Sequence, residues 1–210
     1  MIQLVTMNNN QPWSEDEFIY YLSFIPNEMI DSIMAYKDWQ GRQARILSKV
    51  LIKKQIELFK LNLQLTDLKK NAWNKSFFEA NFNLSISHSH QLVACIASDK
   101  GLVGLDIEWV DENRTEYPTE LFSDNECAYL KISNTYNYDF YKLFTRKEAL
   151  SKLIGNGILF DFKNYDTMND ELSFENKTYY FKTMVYFNVY MLSYLSEKNR
   201  NIEIKHIDYQ

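Results

Sequence analysis

From Arg42 onward the hydrophobic period of this chain switches between helical and extended spacing three times, and that order limits the fold more than any other feature. From Arg42 to Phe59 the apolar residues Ile46, Leu47, Val50, Leu51, Ile56 and Phe59 recur at helical spacing. Phe82–Ser87 then alternates apolar and polar, the pattern of a half-buried strand, and Leu92–Ala97 is a continuous apolar run. After the turn residues Asp99-Lys100-Gly101, Leu102–Glu108 begins another strand, so the middle of the chain predicts an antiparallel meander. Helical spacing returns at Ser123–Lys131 and at Tyr141–Ile154, the latter stopped by Gly155 and Gly157. Glu171–Leu195 alternates again, with Tyr and Phe prominent. Upstream, Ile2–Met7 reads as a short strand, and Ser14 with Glu17 ahead of Phe18, Tyr20 and Leu22 fits a capping box. Pro26 opens a second helical stretch running to about Tyr36. Helices followed by strands, twice over, argue against a βαβ array and predict an α+β chain made of two similar halves.

A chain of 210 residues is long enough to bury a real core. Its 46% hydrophobic and 24% charged residues are those of a soluble globular protein. The net charge of −5 argues against a nucleic-acid role, because neutralising phosphates requires a basic face. Two cysteines, Cys95 and Cys127, are too few for a disulfide framework and read as small buried apolar groups. The N-terminus shows no basic region leading into an apolar one, and no stretch reaches the roughly 18 apolar residues of a membrane span. A cytoplasmic location is therefore expected.

Three clusters carry chemistry. Asp106 and Glu108, two apart on a strand, point to one face at the end of an apolar stretch. Such paired hard oxygens suit Mg²⁺, which takes one or two carboxylates and completes its shell with water and phosphate. A solvent-facing strand end would produce the same pair. Glu148 and Lys152 lie four apart on one helix face, and alone would read as a surface ion pair. Ser87-His88-Ser89-His90 ends a strand. Only His206 remains as a further histidine and no cysteine motif completes a tetrahedral zinc site, so phosphate binding is the better reading of that element. The polar residues of the 42–59 helix are basic (Arg42, Arg45, Lys49, Lys53, Lys54), which is either a solvated face or an anion-binding one. Ser123 and Glu126 form a capping-box pattern, which leaves Glu126 readable as a cap or as an active-site carboxylate.

Taken in order, these elements resemble the Sfp-type 4′-phosphopantetheinyl transferases. That family's signature is Val/Ile-Gly-Ile/Val-Asp-x-Glu followed some forty residues later by Trp/Phe-x-x-Lys-Glu-Ala/Ser-x-x-Lys. Here it reads Val103-Gly104-Leu105-Asp106-Ile107-Glu108, then Phe144-Thr145-Arg146-Lys147-Glu148-Ala149-Leu150-Ser151-Lys152. Upstream, Phe82–Ser89 resembles the family's Phe-Asn-Ile-Ser-His-Ser element with two residues inserted, and Gly155-x-Gly157 matches as well. Departures are the missing proline after Lys75, Ser48 in place of a usual glycine, Phe144 for the commoner tryptophan, and an acidic loop (Asp111, Glu112, Glu116) where a basic residue is frequent.

The resemblance implies an α+β fold of two pseudo-symmetric halves, residues 1–105 mainly binding coenzyme A and 106–210 supplying the metal ligands and catalytic helix, with coenzyme A and Mg²⁺ in a cleft between them. It implies that Asp106, Glu108 and Glu148 hold Mg²⁺ against the coenzyme A pyrophosphate. Glu148 would also be base for the serine of an apo acyl or peptidyl carrier protein, and Lys152 would bind a phosphate oxygen. Arg42 or Arg45, Lys75, Ser87 and His88 are the implied contacts to the adenosine bisphosphate end, with Lys49 a weaker candidate. Arg146 and Lys147 are expected to face solvent. A chain holding both halves is expected to act as a monomer, without nucleic acid or membrane. The alternative is a catalytically reduced relative that binds coenzyme A or carrier proteins without turnover; the presence of all three carboxylates and Lys152 speaks for the enzyme.

Overall fold

The predicted helices form where an apolar stripe can be buried, and those beginning at Glu15, Trp39 and Asp124 also start on a side-chain cap. In the computed structural model, which describes residues 1–114, 118–155, 161–199 and 201–208, Ser14 closes a full capping box with Glu17 at the head of α1 (Glu15–Leu22). Glu116 and Gly157 lie outside the described residues. Pro26 precedes α2 (Asn27–Met34), and the Asp38 carboxylate accepts from the Gly41 amide to start α3 (Trp39–Leu58). Contacts divide the chain into two units, one of Met1–Lys70, Ser76–Lys100 and the tail from Ile202, the other of Asn71–Lys75 and Gly101–Asn201. Sequence alone put a single division between residues 105 and 106.

In the first unit β1 (Ile2–Asn8), β4 (Asn83–Ser89), β5 (Leu92–Ser98) and β10 (Ile204–Ile207) form a sheet in the order β10-β1-β5-β4. The β1–β10 pair is parallel and the others antiparallel. Helix α3 covers this sheet and buries Ile46, Leu47, Leu51, Ile52 and Ile56 against Val5, Met7, Val93 and Cys95. The two-residue strands β2 (Lys69–Lys70) and β3 (Ser76–Phe77) pair with each other.

The second unit is a wholly antiparallel sheet, β6 (Val103–Trp109), β9 (Tyr190–Ser196), β8 (Lys177–Tyr186) and β7 (Glu171–Phe174), in the order β6-β9-β8-β7. Its hairpins turn on Glu175-Asn176 and Phe187-Asn188, each residue with positive φ, the requirement of a type I′ turn that matches strand twist. Helix α4 (Asp124–Ile132) precedes α5 (Tyr136–Ile154), which lies on β6 and β9 and ends at Gly155 with φ +82°. The overall class is α+β, as expected. The predicted central meander is corrected: β4 and β5 form its hairpin, but β6 pairs with β9. The reason is edge occupancy, since β1 runs residue for residue along the remaining edge of β5, from Ile2 opposite Ser98 to Asn8 opposite Leu92. No edge remains there for β6. Cys95 is wholly buried and Cys127 half-buried, and neither is in a disulfide.

Candidate active site

Strand β6 alternates faces, so Gly104, Asp106 and Glu108 share one side while Val103, Leu105 and Ile107 are buried on the other. Gly104 explains how α5 comes so close. A Cβ at that position would stand 2.0 Å from the Ala149 carbonyl oxygen and 2.9 Å from Leu153 Cβ. Only a residue without a side chain lets the helix backbone settle on the strand. The helix stripe containing Glu148 and Lys152 is thereby brought against Asp106.

Asp106 is 2% exposed, and Lys152, 31% exposed, places Nζ 2.6 Å from its Oδ1. The ion pair seen is therefore between helix and strand, beyond the expected i,i+4 neighbourhood of Glu148. Glu148 is half-buried, and its carboxyl is pushed above the usual carboxylate range, chiefly by burial and then by the negative charge of Asp106, with Lys152 opposing. Glu108 is half-buried two residues further along the same strand face. Among the described residues, no group of three or more His, Cys, Asp or Glu side chains is already drawn together as a metal cage. The donor chemistry nonetheless fits a hard divalent cation: two carboxylates repel one another across a partly buried site, and a lysine ammonium sits on one of them. That ammonium occupies a position a cation favours.

The far end of α5 is held by the short segment Asn71–Lys75. The Asn71 side chain donates to the Gly155 carbonyl at 3.0 Å, and Lys75 Nζ donates to the Leu153 carbonyl at 2.7 Å. A lysine there complements the negative end of the helix dipole. Burial lowers the Lys75 pKa to about 8. This lysine thus stands in the same unit as the carboxylates, bonded to the last turn of α5.

The other implied contacts lie in the first unit. Arg42 donates through Nε to the Tyr36 carbonyl and through Nη2 to that of Lys37, both at 3.2 Å, and Arg45 is stacked 4.7 Å over the Tyr36 ring. Both arginines therefore brace the segment leading into α3. Lys49 is half-buried, and its pKa is lowered to about 8 by burial and then by the charges of Lys70 and Arg45. Ser87 is buried near the end of β4 and His88 is exposed. The Gln40 side chain donates to the His90 carbonyl at 2.8 Å, which ties the start of α3 to the β4–β5 turn.

Two expectations are corrected here. Arg146 and Lys147 do not face solvent; they are 2% and 1% exposed. Helix α5 is covered on its outer side by the segment following residue 161, so its charged residues must find partners inside. Arg146 Nη1 donates to the carbonyls of Thr167, Met168 and Asn169, Nη2 meets Asp170 Oδ1 at 2.5 Å, and Nε donates to Thr183 Oγ1 at 2.9 Å. Lys147 Nζ donates to the Phe162 and Tyr165 carbonyls at 2.8 and 2.7 Å and pairs with Glu126 Oε2 at 2.7 Å. Glu126, wholly buried, also accepts from the Ser123 amide and from the Thr167 amide and hydroxyl. This decides between its two readings: Glu126 caps α4 and forms a buried ion pair. Charged residues in a helix give no sequence signal of such burial when the covering segment lies some fifteen or more residues away.

Residues 102–197 match the family model described as the 4′-phosphopantetheinyl transferase superfamily. The chain is also 26% identical over 168 residues, 79% of its own length and 70% of the relative's, to 4′-phosphopantetheinyl transferase gsp of Aneurinibacillus migulanus. The matched segment spans β6 to β9 and contains Gly104, Asp106, Glu148 and Lys152.

Proposed function

From the match of residues 102–197 to the 4′-phosphopantetheinyl transferase superfamily, we propose that this chain transfers the 4′-phosphopantetheine arm of coenzyme A to a serine of an apo carrier protein, with Mg²⁺ as cofactor. The observation that carries the reading is the buried Asp106 carboxylate, 2.6 Å from the Lys152 ammonium, beside a Glu148 whose ionisation that carboxylate disfavours. Asp106, Glu108 and Glu148 would hold the metal. Bound there, it would offset charge on the pyrophosphate and make the phosphorus more electrophilic.

The chain's own residues account for the remaining work. Lys152 sits at the rim of the site with its ammonium on Asp106, and that positive charge is suited to a phosphate oxygen, where charge grows in the transition state. A carboxyl with a raised pKa is a stronger base, so Glu148 is suited to take the serine proton directly or through a water. The serine oxygen forms a bond to the β-phosphorus as the bond to the bridging oxygen breaks. Adenosine 3′,5′-bisphosphate leaves with that oxygen and its electron pair. The Lys49, Arg45 and Lys70 cluster is the proposed counterpart for anionic groups at the adenosine end, because the repulsion from Lys70 and Arg45 that adds to burial in lowering the Lys49 pKa is relieved by an anion. Arg42, Ser87, His88 and Lys75 remain proposed contacts to the same end of the ligand.

The test is intact-protein mass spectrometry of an apo acyl or peptidyl carrier protein incubated with the chain, coenzyme A and Mg²⁺. A gain of one phosphopantetheine, absent with EDTA, is expected. No gain on any carrier type, with coenzyme A still bound, would replace this reading with that of a non-catalytic binder.

A further inference from the structure

A row of hydroxyls crosses the second unit's sheet beside the carboxylate site. Ser193 stands directly opposite Asp106 on β6 and directly opposite Thr183 on β8. Its Oγ lies 2.8 Å from Thr183 Oγ1 and 2.7 Å from Thr145 Oγ1, which projects from α5. Thr145 and Ser193 are wholly buried. Thr145, Glu148 and Lys152 follow one another at i, i+3 and i+7, so the helix stripe that meets Asp106 also meets this row.

The direction of every bond in the row is forced. A hydroxyl has one proton. Thr145 Oγ1 lies 2.8 Å from the Tyr141 carbonyl and 3.2 Å from that of Lys142, and a carbonyl only accepts, so the Thr145 proton is committed to the helix backbone. Ser193 must then be the donor to Thr145, and Thr183 the donor to Ser193. At the far end Arg146 Nε donates to Thr183 at 2.9 Å, which agrees with that order. The row therefore runs one way, from a guanidinium to a helix carbonyl.

Resting on the reading of the site given above, we propose that Thr145 and Ser193 are positioning residues that preserve Asp106 as a cation ligand by directing the Ser193 proton away from it. Directly opposed side chains on neighbouring antiparallel strands have Cβ atoms about 4.5–5.5 Å apart, near enough for a serine to turn onto a carboxylate. A serine proton on Asp106 would compete with the cation for the same oxygen electrons. Thr145 removes that competition by being the better-placed acceptor, its own proton already engaged.

The test is Mn²⁺ binding to the full chain with coenzyme A present, free Mn²⁺ being read by electron paramagnetic resonance and folding by thermal melting. Thr145→Val deprives Ser193 of its acceptor and is expected to weaken Mn²⁺ binding about tenfold, the scale of one hydrogen bond to a charged group. Thr145→Ala removes the same acceptor at less steric risk and is expected to do likewise. Thr145→Ser, which keeps the hydroxyl, is expected to restore affinity. The decisive variant is Thr145→Val with Ser193→Ala, where position 193 has no proton to turn onto Asp106: affinity should recover towards wild type. A double variant as weak as or weaker than Thr145→Val, or a folded Thr145→Ala of wild-type affinity, would overturn the proposal. Wild-type protein that binds no Mn²⁺ would instead overturn the reading of the metal site, and the proposal with it.

Discussion

Replacing Gly104 by alanine tests whether the site depends on how closely α5 approaches β6. The added Cβ would meet the Ala149 carbonyl oxygen at 2.0 Å, the Ala149 carbonyl carbon at 2.9 Å and Leu153 Cβ at 2.9 Å. Carbon and carbonyl oxygen settle no closer than about 3.3 Å, so roughly 1.3 Å of separation must be found. The obstacle is helix backbone, so no rotamer change can supply it. Either α5 lifts from the sheet or β6 is displaced, and over-packing of this kind costs about 1–3 kcal/mol. The same movement carries Glu148 and Lys152 away from Asp106, and a misplacement of about 1 Å at a reacting centre is worth on the order of 100-fold in rate. The assay is the turnover rate of carrier modification beside the urea midpoint of the variant. The expected result is a folded, destabilised protein whose rate falls far more than its stability. A Gly104→Ala protein with wild-type rate and midpoint would refute the close-approach argument.

Three further outcomes follow from the buried charges. Lys147→Met leaves Glu126 as an uncompensated buried carboxylate and should cost about 3–5 kcal/mol in chemical denaturation; combining it with Glu126→Gln should recover part of that loss. Glu148→Gln should raise the melting temperature of the metal-free protein at neutral pH while abolishing transfer. The folded-state pKa of Glu148 is raised, so the native state binds more protons than the unfolded one. Its contribution is then fully present below the unfolded carboxyl pKa and is lost as pH rises through the folded value. In melting scans from pH 4 upward the glutamine variant should gain on the wild type as pH rises, the difference isolating Glu148 from the carboxyls of Glu17, Asp99 and Asp139, whose lowered pKa values raise the stability of both proteins over the same range. Lys75→Met removes the donor to the Leu153 carbonyl and should cost on the order of 1 kcal/mol of stability; an unchanged midpoint would mean that the lysine does not hold the end of α5.

What sequence revealed of this molecule was what local chemistry determines. Ser14 and Ser123 show their capping boxes in four residues each, and the stripe of α3 is visible in its own periodicity. The Asp106 and Glu148 elements were legible because a strand's two-residue alternation and a helix's four-residue spacing each fix a face. What depended on distant chain was hidden. The meander failed because β1, far upstream, holds the edge of β5. The parallel pairing of β10 with β1 joins residues some two hundred positions apart, and four residues carry too little pattern to announce it. Arg146 and Lys147 read as solvated because burial of a charge is decided by its partners, here the carbonyls of residues 162–169. The glycine of β6 could be seen, but the 2.0 Å approach that requires it could not.

The most direct measurement of the central claim compares wild type and Asp106→Ala for transfer of phosphopantetheine to an apo carrier protein, with coenzyme A binding measured on the same samples. A site built on that carboxylate predicts a variant that folds, keeps coenzyme A affinity within about tenfold and loses transfer by roughly a hundred- to a thousandfold, the scale of removing one preorganised electrostatic group. A folded Asp106→Ala protein that modifies the carrier at close to the wild-type rate would contradict the account.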